Sequence, residues 1–321
     1  MTSKGQKEKM GKTTIGVDVS KDSLDAVRHP QGDHHRFSND AAGFKAFMVW
    51  LGDGQTERIV FEATGHYHRA FERALDQAGL AFAKVNPLHA KRFGQALGAL
   101  SKTDRTDAGL LARLGVALEP ETKPAAPRIM WDLKELHVAR TALVKERTAT
   151  KNRQKTLSLP LLKRQARRRL KQIETQLKEI DTAVLDIIKA DEDLARRLDI
   201  LTSIPGLAIT SACALIVDMP ELGTLDNQTA ASLSGTAPRV GQSGKWRGKT
   251  FVHGGRPQVR RALYMPALVA ARFNQDMKRK YEQLKAQGKP PKVALMAVMR
   301  KLVILANALL RDGRKWQHKT A

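Results

Sequence analysis

Apolar and polar positions alternate in short runs over the first forty residues of the ordered pattern. Thr13–Val19 is apolar and β-branched; Leu24–Arg28 follows a Lys21-Asp22-Ser23 turn, and His34–Phe37 follows Gln31-Gly32-Asp33. These runs predict three strands joined by tight turns. Asn39 or Asp40 is placed to cap a helix whose apolar face carries Phe44, Phe47, Met48 and Leu51. Ile59–Ala63 is apolar on both sides of its one carboxylate, as in a strand covered on both faces. A helix from about His66 to Ala78 stops at Gly79, Ala81–Val85 gives a fifth strand, and helices follow over about 87–97 and 103–118.

Three strands, helix, strand, helix, strand and helices is the element order of a ribonuclease-H-like α/β layer. Pro120 to Pro127 holds three prolines in eight residues and marks a boundary or linker. Beyond it the period becomes helical over roughly 128–190, broken at Pro160. Leu170, Ile173, Leu177, Ile180, Val184 and Ile187 recur at 3-4-3-4-3 spacing. Such a seam predicts a coiled coil between copies, or a hairpin closed on Leu133, Leu136 and Leu143 of the same chain. From about 191 a helical C-terminal domain begins. It opens on Leu201–Ile209, two helices pinched at Pro205-Gly206 like a helix-hairpin-helix, or simply a tight turn between packed helices. Residues 234–256 form a Gly-rich basic loop, and helices at about 257–273 and 290–311 end the domain. The domains expected are therefore 1–125, 126–190 and 191–321.

Charge changes the picture. Lys and Arg number 56 against 32 acids, a formal net charge of +24. Self-repulsion on that scale points to a polyanionic partner, and so to nucleic acid. Thirteen basic residues lie between Lys134 and Lys171 against Glu135 and Glu146, the Arg167-Arg168-Arg169 run among them. Residues 241–321 hold 19 Lys or Arg against three acids. Cys213 is the single cysteine, so no internal disulfide forms, which fits a reducing compartment. The first twelve residues are polar and basic without an apolar core, and Leu302–Leu310 is short for a bilayer span. The expectation is a cytoplasmic protein with no membrane partner.

Four carboxylates carry the candidate chemistry. Asp18 lies inside the first apolar strand and Glu62 inside the fourth; Asp104 and Asp107 open a helix at i and i+3, on one face. A carboxylate inside a buried strand is costly unless compensated. Four converging ones suit a pair of hard divalent cations, such as Mg2+, that stabilise the attacking and leaving oxygens of a phosphodiester displacement. Taken singly, Asp104 is an ordinary N-cap and Asp107 an ordinary first-turn acid. Asp22 and Asp25 read as turn and surface residues.

Around these residues the chain resembles a known family. GVDVSK about Asp18, FEATG about Glu62 and KTDRTDA about Asp104 and Asp107 are similar to the DEDD transposases of the insertion sequence 110 family. The Ile-Pro-Gly hairpin, Gly235–Pro238, Gln242-Ser243-Gly244 and Gly255–Leu263 extend the likeness over nearly the whole chain, with Gly255-Arg256 where a Gly-Asn pair is common. The resemblance implies a RuvC-like metal domain, a helical coiled-coil arm and a transposase domain whose nucleophilic serine is Ser243. It also implies target and donor DNA bridged by a structured non-coding guide RNA. Read alone, a serine between Gly241 and Gly244 is an ordinary turn residue, with Ser232 and Ser234 as equal candidates. Small neighbours and the nearby Lys245, Arg247 and Lys249 favour Ser243. With no histidine base in its motif, activation falls to the metal site, which brings the two halves, of one protomer or of two, into one composite active site; a homo-oligomer, dimer or tetramer, is expected.

The reading is a DNA recombinase that forms a phosphoserine link to DNA through Ser243, with Asp18, Glu62, Asp104 and Asp107 binding Mg2+. Lys102, Arg105, Arg167, Arg168, Arg169, Arg239, Lys245, Arg247, Lys249, Arg260 and Arg261 are the expected nucleic-acid contacts, and Trp246 a base-stacking candidate. Two alternatives stand beside it: a metal-dependent junction nuclease using water, and a non-catalytic basic nucleic-acid-binding protein.

Overall fold

The computed structural model describes residues 13–52, 56–63, 65–98, 103–239, 242–243, 246–248 and 251–317. The chain divides into two compact units, 1–126 and 127–321.

In the first unit, β1 (Thr13–Val19), β2 (Ser23–His29) and β3 (His34–Ser38) form the expected meander. After α1 (Ala41–Leu51), β4 (Thr56–Glu62) returns beside β1, and α2 (His68–Gln77) leads to β5 (Phe82–Val85). The sheet order is β3-β2-β1-β4-β5, antiparallel across β1, β2 and β3 and parallel across β1, β4 and β5. Asp40, not Asn39, caps α1: its carboxylate accepts from the Gly43 amide, while Asn39 donates to the carbonyls of Ser20 and Tyr67.

Side chains alternate across the sheet, so each face has its own core. Ile15, Val17, Leu24, Ala26, Ile59 and Phe61 pack on one face against Phe47 of α1 and Phe71 and Leu75 of α2. The other face is covered by α3 (Pro87–Ala96) and α4 (Asp104–Leu118), where Val60 and Val85 meet Ala90, Leu111 and Leu114. Two glycines let α4 lie close. A Cβ on Gly16 of β1 would collide with the Ala108 carbonyl and the Ala112 amide, and one on Gly115 with Thr14 and Val60 side chains.

The second unit opens with α5 (Arg128–Thr156) and α6 (Pro160–Ala190). Pro160 breaks the helical stretch as the first residue of α6, where its missing amide hydrogen costs nothing. Cross-helix pairs Arg140–Asp181 and Glu146–Arg169 show that α5 and α6 run antiparallel, as a hairpin. The apolar seam is buried within the chain at Ile173, Leu177, Val184 and Ile188. Its last step falls on Ile188 rather than Ile187, the drift of a 3.6-residue helix away from a strict heptad. At the base of the hairpin Leu133, Val184 and Ile188 share one core with the helices that follow. These are α7 (Glu192–Thr202), α8 (Ile209–Asp218), α9 (Asn227–Leu233), α10 (Pro257–Phe273), α11 (Gln275–Ala286) and α12 (Pro291–Arg311). Short α9 and charged α11 carry no long apolar period and are absent from the sequence reading.

Between α9 and α10 the Gly-rich segment is not a plain loop. β6 (Pro238–Arg239) pairs with β9 (Phe251–Val252), and β7 (Gln242–Ser243) with β8 (Trp246–Arg247). By length and composition α12, at 21 residues, is long and apolar enough to cross a membrane, more than the run Leu302–Leu310 indicates. Its Val298, Leu302, Val303 and Ala306 are instead fully buried in the core of the second unit.

Candidate functional site

The face of the sheet that carries Gly16 also carries the acids. Thr14, Gly16 and Asp18 alternate onto it from β1, and Val60 and Glu62 from β4. Gly16 lies under Ala108 and Ala112, so the first turn of α4, with Asp104 and Asp107, lies toward the Asp18 end of the strand. Thr103 caps that helix through a reciprocal pair with Thr106, which frees Asp104 from the N-cap role. Asp104 is exposed; Asp18, Glu62 and Asp107 are half-buried.

Asp25 is a correction. It is not a surface residue but buried on β2, directly opposite Asp18 across the antiparallel pair. Directly opposed residues share a face, so the acidic cluster has a fifth member. Arg36 of β3, also missed, binds both carboxylate oxygens of Asp25 and reaches Asp104 at 2.7 Å, while His34 contacts Asp25 at 2.9 Å. The period-2 pattern was the available signal: Asp25 alternates with Leu24 and Ala26 as Asp18 does with Val17 and Val19, and Arg36 stands opposite Asp25. The hydrogen bonds and charge of Asp25, then Asp104, push the Arg36 guanidinium further toward its charged form.

The Asp18 carboxyl is pushed up to about 6, first by burial and then by the charges of Asp107, Asp104, Glu62 and Asp25. The three other acids named from sequence therefore all act on Asp18. Among the described residues, no three such side chains close on one point tightly enough to hold a metal. Asp104 is drawn to Arg36 instead. An all-oxygen donor set whose mutual repulsion raises Asp18 nonetheless matches what a hard divalent cation relieves.

In the second unit, Ser243 is backbone-paired with Trp246 in the β7–β8 ribbon. The side chains of Ser243, Trp246 and Arg247, and all of Lys102, Lys245 and Lys249, lie outside the described residues. Ser234 is fully buried, its hydroxyl on the Ala231 carbonyl and within 2.9 Å of the Thr236 hydroxyl, so it is committed to the turn. Arg260 is likewise a structural pin, donating to the carbonyls of Gly235 and Gly254. Arg169 is engaged by Glu146 across the hairpin. Arg105, Arg167, Arg168, Arg239 and Arg261 are exposed. Arg256, where a Gly-Asn pair is common, gives α10 no side-chain cap; its guanidinium clamps Glu221 and the Asp218 carbonyl.

A carboxylate-bearing α/β unit and a strongly basic helical unit suit work on nucleic acid, and comparison with known proteins gives the class. A transposase model of the DEDD, IS110 type matches residues 15–159, and a model described as transposase, IS116/IS110/IS902 family, matches residues 198–282. Together they cover well over half of the chain, which belongs to the IS110 family of transposases. The pilin gene-inverting proteins of Moraxella bovis and Moraxella lacunata are each 28% identical over 324 residues, 97% of this chain and 99% of theirs. An uncharacterised 43.6 kDa protein of insertion element IS110 from Streptomyces coelicolor is 30% identical over 123 residues, 37% of this chain and 30% of that protein.

Proposed function

We propose that this transposase cuts and rejoins DNA through a phosphoserine intermediate on Ser243, with the acids of the first unit as a divalent-metal site. The observation that carries the reading is the gathering of Asp18, Glu62, Asp104 and Asp107 about one end of one sheet face, where burial and then the neighbouring charges raise Asp18. In this account the Ser243 oxygen bonds to phosphorus as the bond from phosphorus to a sugar oxygen breaks; a free sugar hydroxyl later reverses the step on another strand. Asp18, Glu62, Asp104 and Asp107 would hold Mg2+, which when bound supplies positive charge for the attacking and leaving oxygens. Arg36 and Asp25 position Asp104 and keep part of the cluster neutralised. Arg105, Arg167, Arg168, Arg239 and Arg261 hold phosphates without reading bases. The RuvC-like nature of the first unit, guidance by a non-coding RNA and self-association belong to the same proposal. Relatives named for gene inversion, matching end to end, fit a chemistry that rejoins strands better than a nuclease that releases them.

The test is strand cleavage on a cognate junction with and without Mg2+. Cleavage that needs the divalent ion and disappears in Asp18→Asn, with DNA binding retained, supports the reading. Cleavage by Asp18→Asn at the wild-type rate contradicts it.

A further inference from the structure

In the second unit, α5, α6, the start of α8 and the first turns of α10 line a half-open cavity of about 530 Å3. That volume lies in the range for small organic ligands, roughly 300–1,000 Å3, so it admits one nucleotide and not a duplex. The wall is aliphatic, with Val144, Leu185, Ile209 and Cys213 among its residues. Its charged members are mostly cationic: Arg140 is spent on Asp181 at 2.5 Å, while Lys145 and Arg261 leave a net positive lip.

Two further features address the two ends of a nucleotide. The first turn of α8 has no side-chain cap, and Thr210 and Ser211 of that turn line the cavity. A helix start beside two cations suits a phosphate. His137 also lines the cavity, its Nε2 3.1 Å from Oδ2 of the buried Asp218. Gln258 also lines the wall. A held imidazole and an amide are groups that hydrogen-bond a base edge, and aliphatic walls sandwich a base taken out of its stack.

We propose that this cavity receives one nucleotide extruded from a DNA or RNA strand, with the base against the aliphatic wall and the phosphate between the start of α8, Lys145 and Arg261. The proposal rests on the reading that the chain handles nucleic-acid strands.

The experiment uses the full chain with single-stranded DNA and RNA oligonucleotides containing one 2-aminopurine, whose fluorescence rises on unstacking. Binding is followed in parallel by anisotropy of an end label. The wild type is expected to bind and to brighten the probe on at least one of the two strands, which identifies the source. Ala262→Phe, filling the cavity, is expected to abolish the brightening with anisotropy binding retained. Arg261→Ala, an exposed change that does not threaten folding, is expected to weaken binding of the brightened species about tenfold, one charge-assisted contact. Tight binding without brightening, or brightening unaffected by both variants, overturns the cavity and leaves the recombinase reading standing. No binding of any strand by the wild type overturns both.

Discussion

Asp18 is held where its ionised form is least welcome, half-buried and facing Glu62, Asp25, Asp104 and Asp107. An arrangement that costs stability is what an active site keeps for its chemistry. Asp18→Asn removes one of the mutually repelling charges, so it is expected to raise the melting temperature in metal-free buffer. The gain is about 1 kcal/mol after allowing for solvent screening. In wild type, Mg2+ is expected to raise the melting temperature by binding the folded form, and in Asp18→Asn to have little effect. A melting temperature lowered by Asp18→Asn, or an equal Mg2+ response in both proteins, contradicts the repelling cluster.

Asp218 behaves oppositely. Burial pushes its pKa up, but Lys134 at 2.5 Å and His137 outweigh that and hold it below the ordinary range. A folded-state pKa below the unfolded value means that its contribution is full above the unfolded pKa of about 4 and is lost as pH falls through the folded one. Asp218→Asn is therefore expected to cost about 2 kcal/mol at neutral pH, and less in strong acid. Urea melts at pH 7 and pH 3 measure this; an equal loss at both contradicts the assignment.

At the scale of elements, α4 and the α5–α6 hairpin carry the argument. Gly16→Ala places a methyl group into the backbone of α4, so it is expected to destabilise the first unit by roughly 1–3 kcal/mol and to displace Asp104 and Asp107. A variant with wild-type stability and activity sinks the close-packing account. Because the hairpin seam is covered inside the chain, Leu177→Asp is expected to destabilise the second unit by about 3 kcal/mol, as a charge in a packed seam does, and so to lower its melting temperature. A change in mass by sedimentation with no loss of stability would assign the seam to an interface between copies. The strands around Asp18 and Glu62 and the helix at Asp104 were legible because β-branched runs and turn residues punctuate them sharply. Asp25 was misread because Lys21-Asp22-Ser23 draws attention to the turn, while the register that sets Asp25 opposite Asp18 exists only once β1 and β2 pair. Arg36 and Arg260 look like any surface cation in sequence; partners 11 and 25 residues away decide what they do.

At the scale of the whole chain, a net charge of +24 should make binding to noncognate duplex mostly electrostatic. Affinity is then expected to fall about a thousandfold between low and physiological salt if six or more phosphates are neutralised. A flat response in a salt titration means that the charge serves something else. Charge and motifs gave the class of this protein from sequence; which cations are already engaged within the chain required the fold, since Arg169 pairs with Glu146 and Arg260 with two backbone carbonyls. The central claim is the covalent role of Ser243, and it is tested most directly by mass spectrometry of a nicked suicide substrate incubated with enzyme and Mg2+. The account predicts a DNA-modified peptide containing Ser243, absent in Ser243→Ala although that variant still binds DNA. An adduct on another residue, or clean hydrolysis at the same rate without the serine, would contradict it.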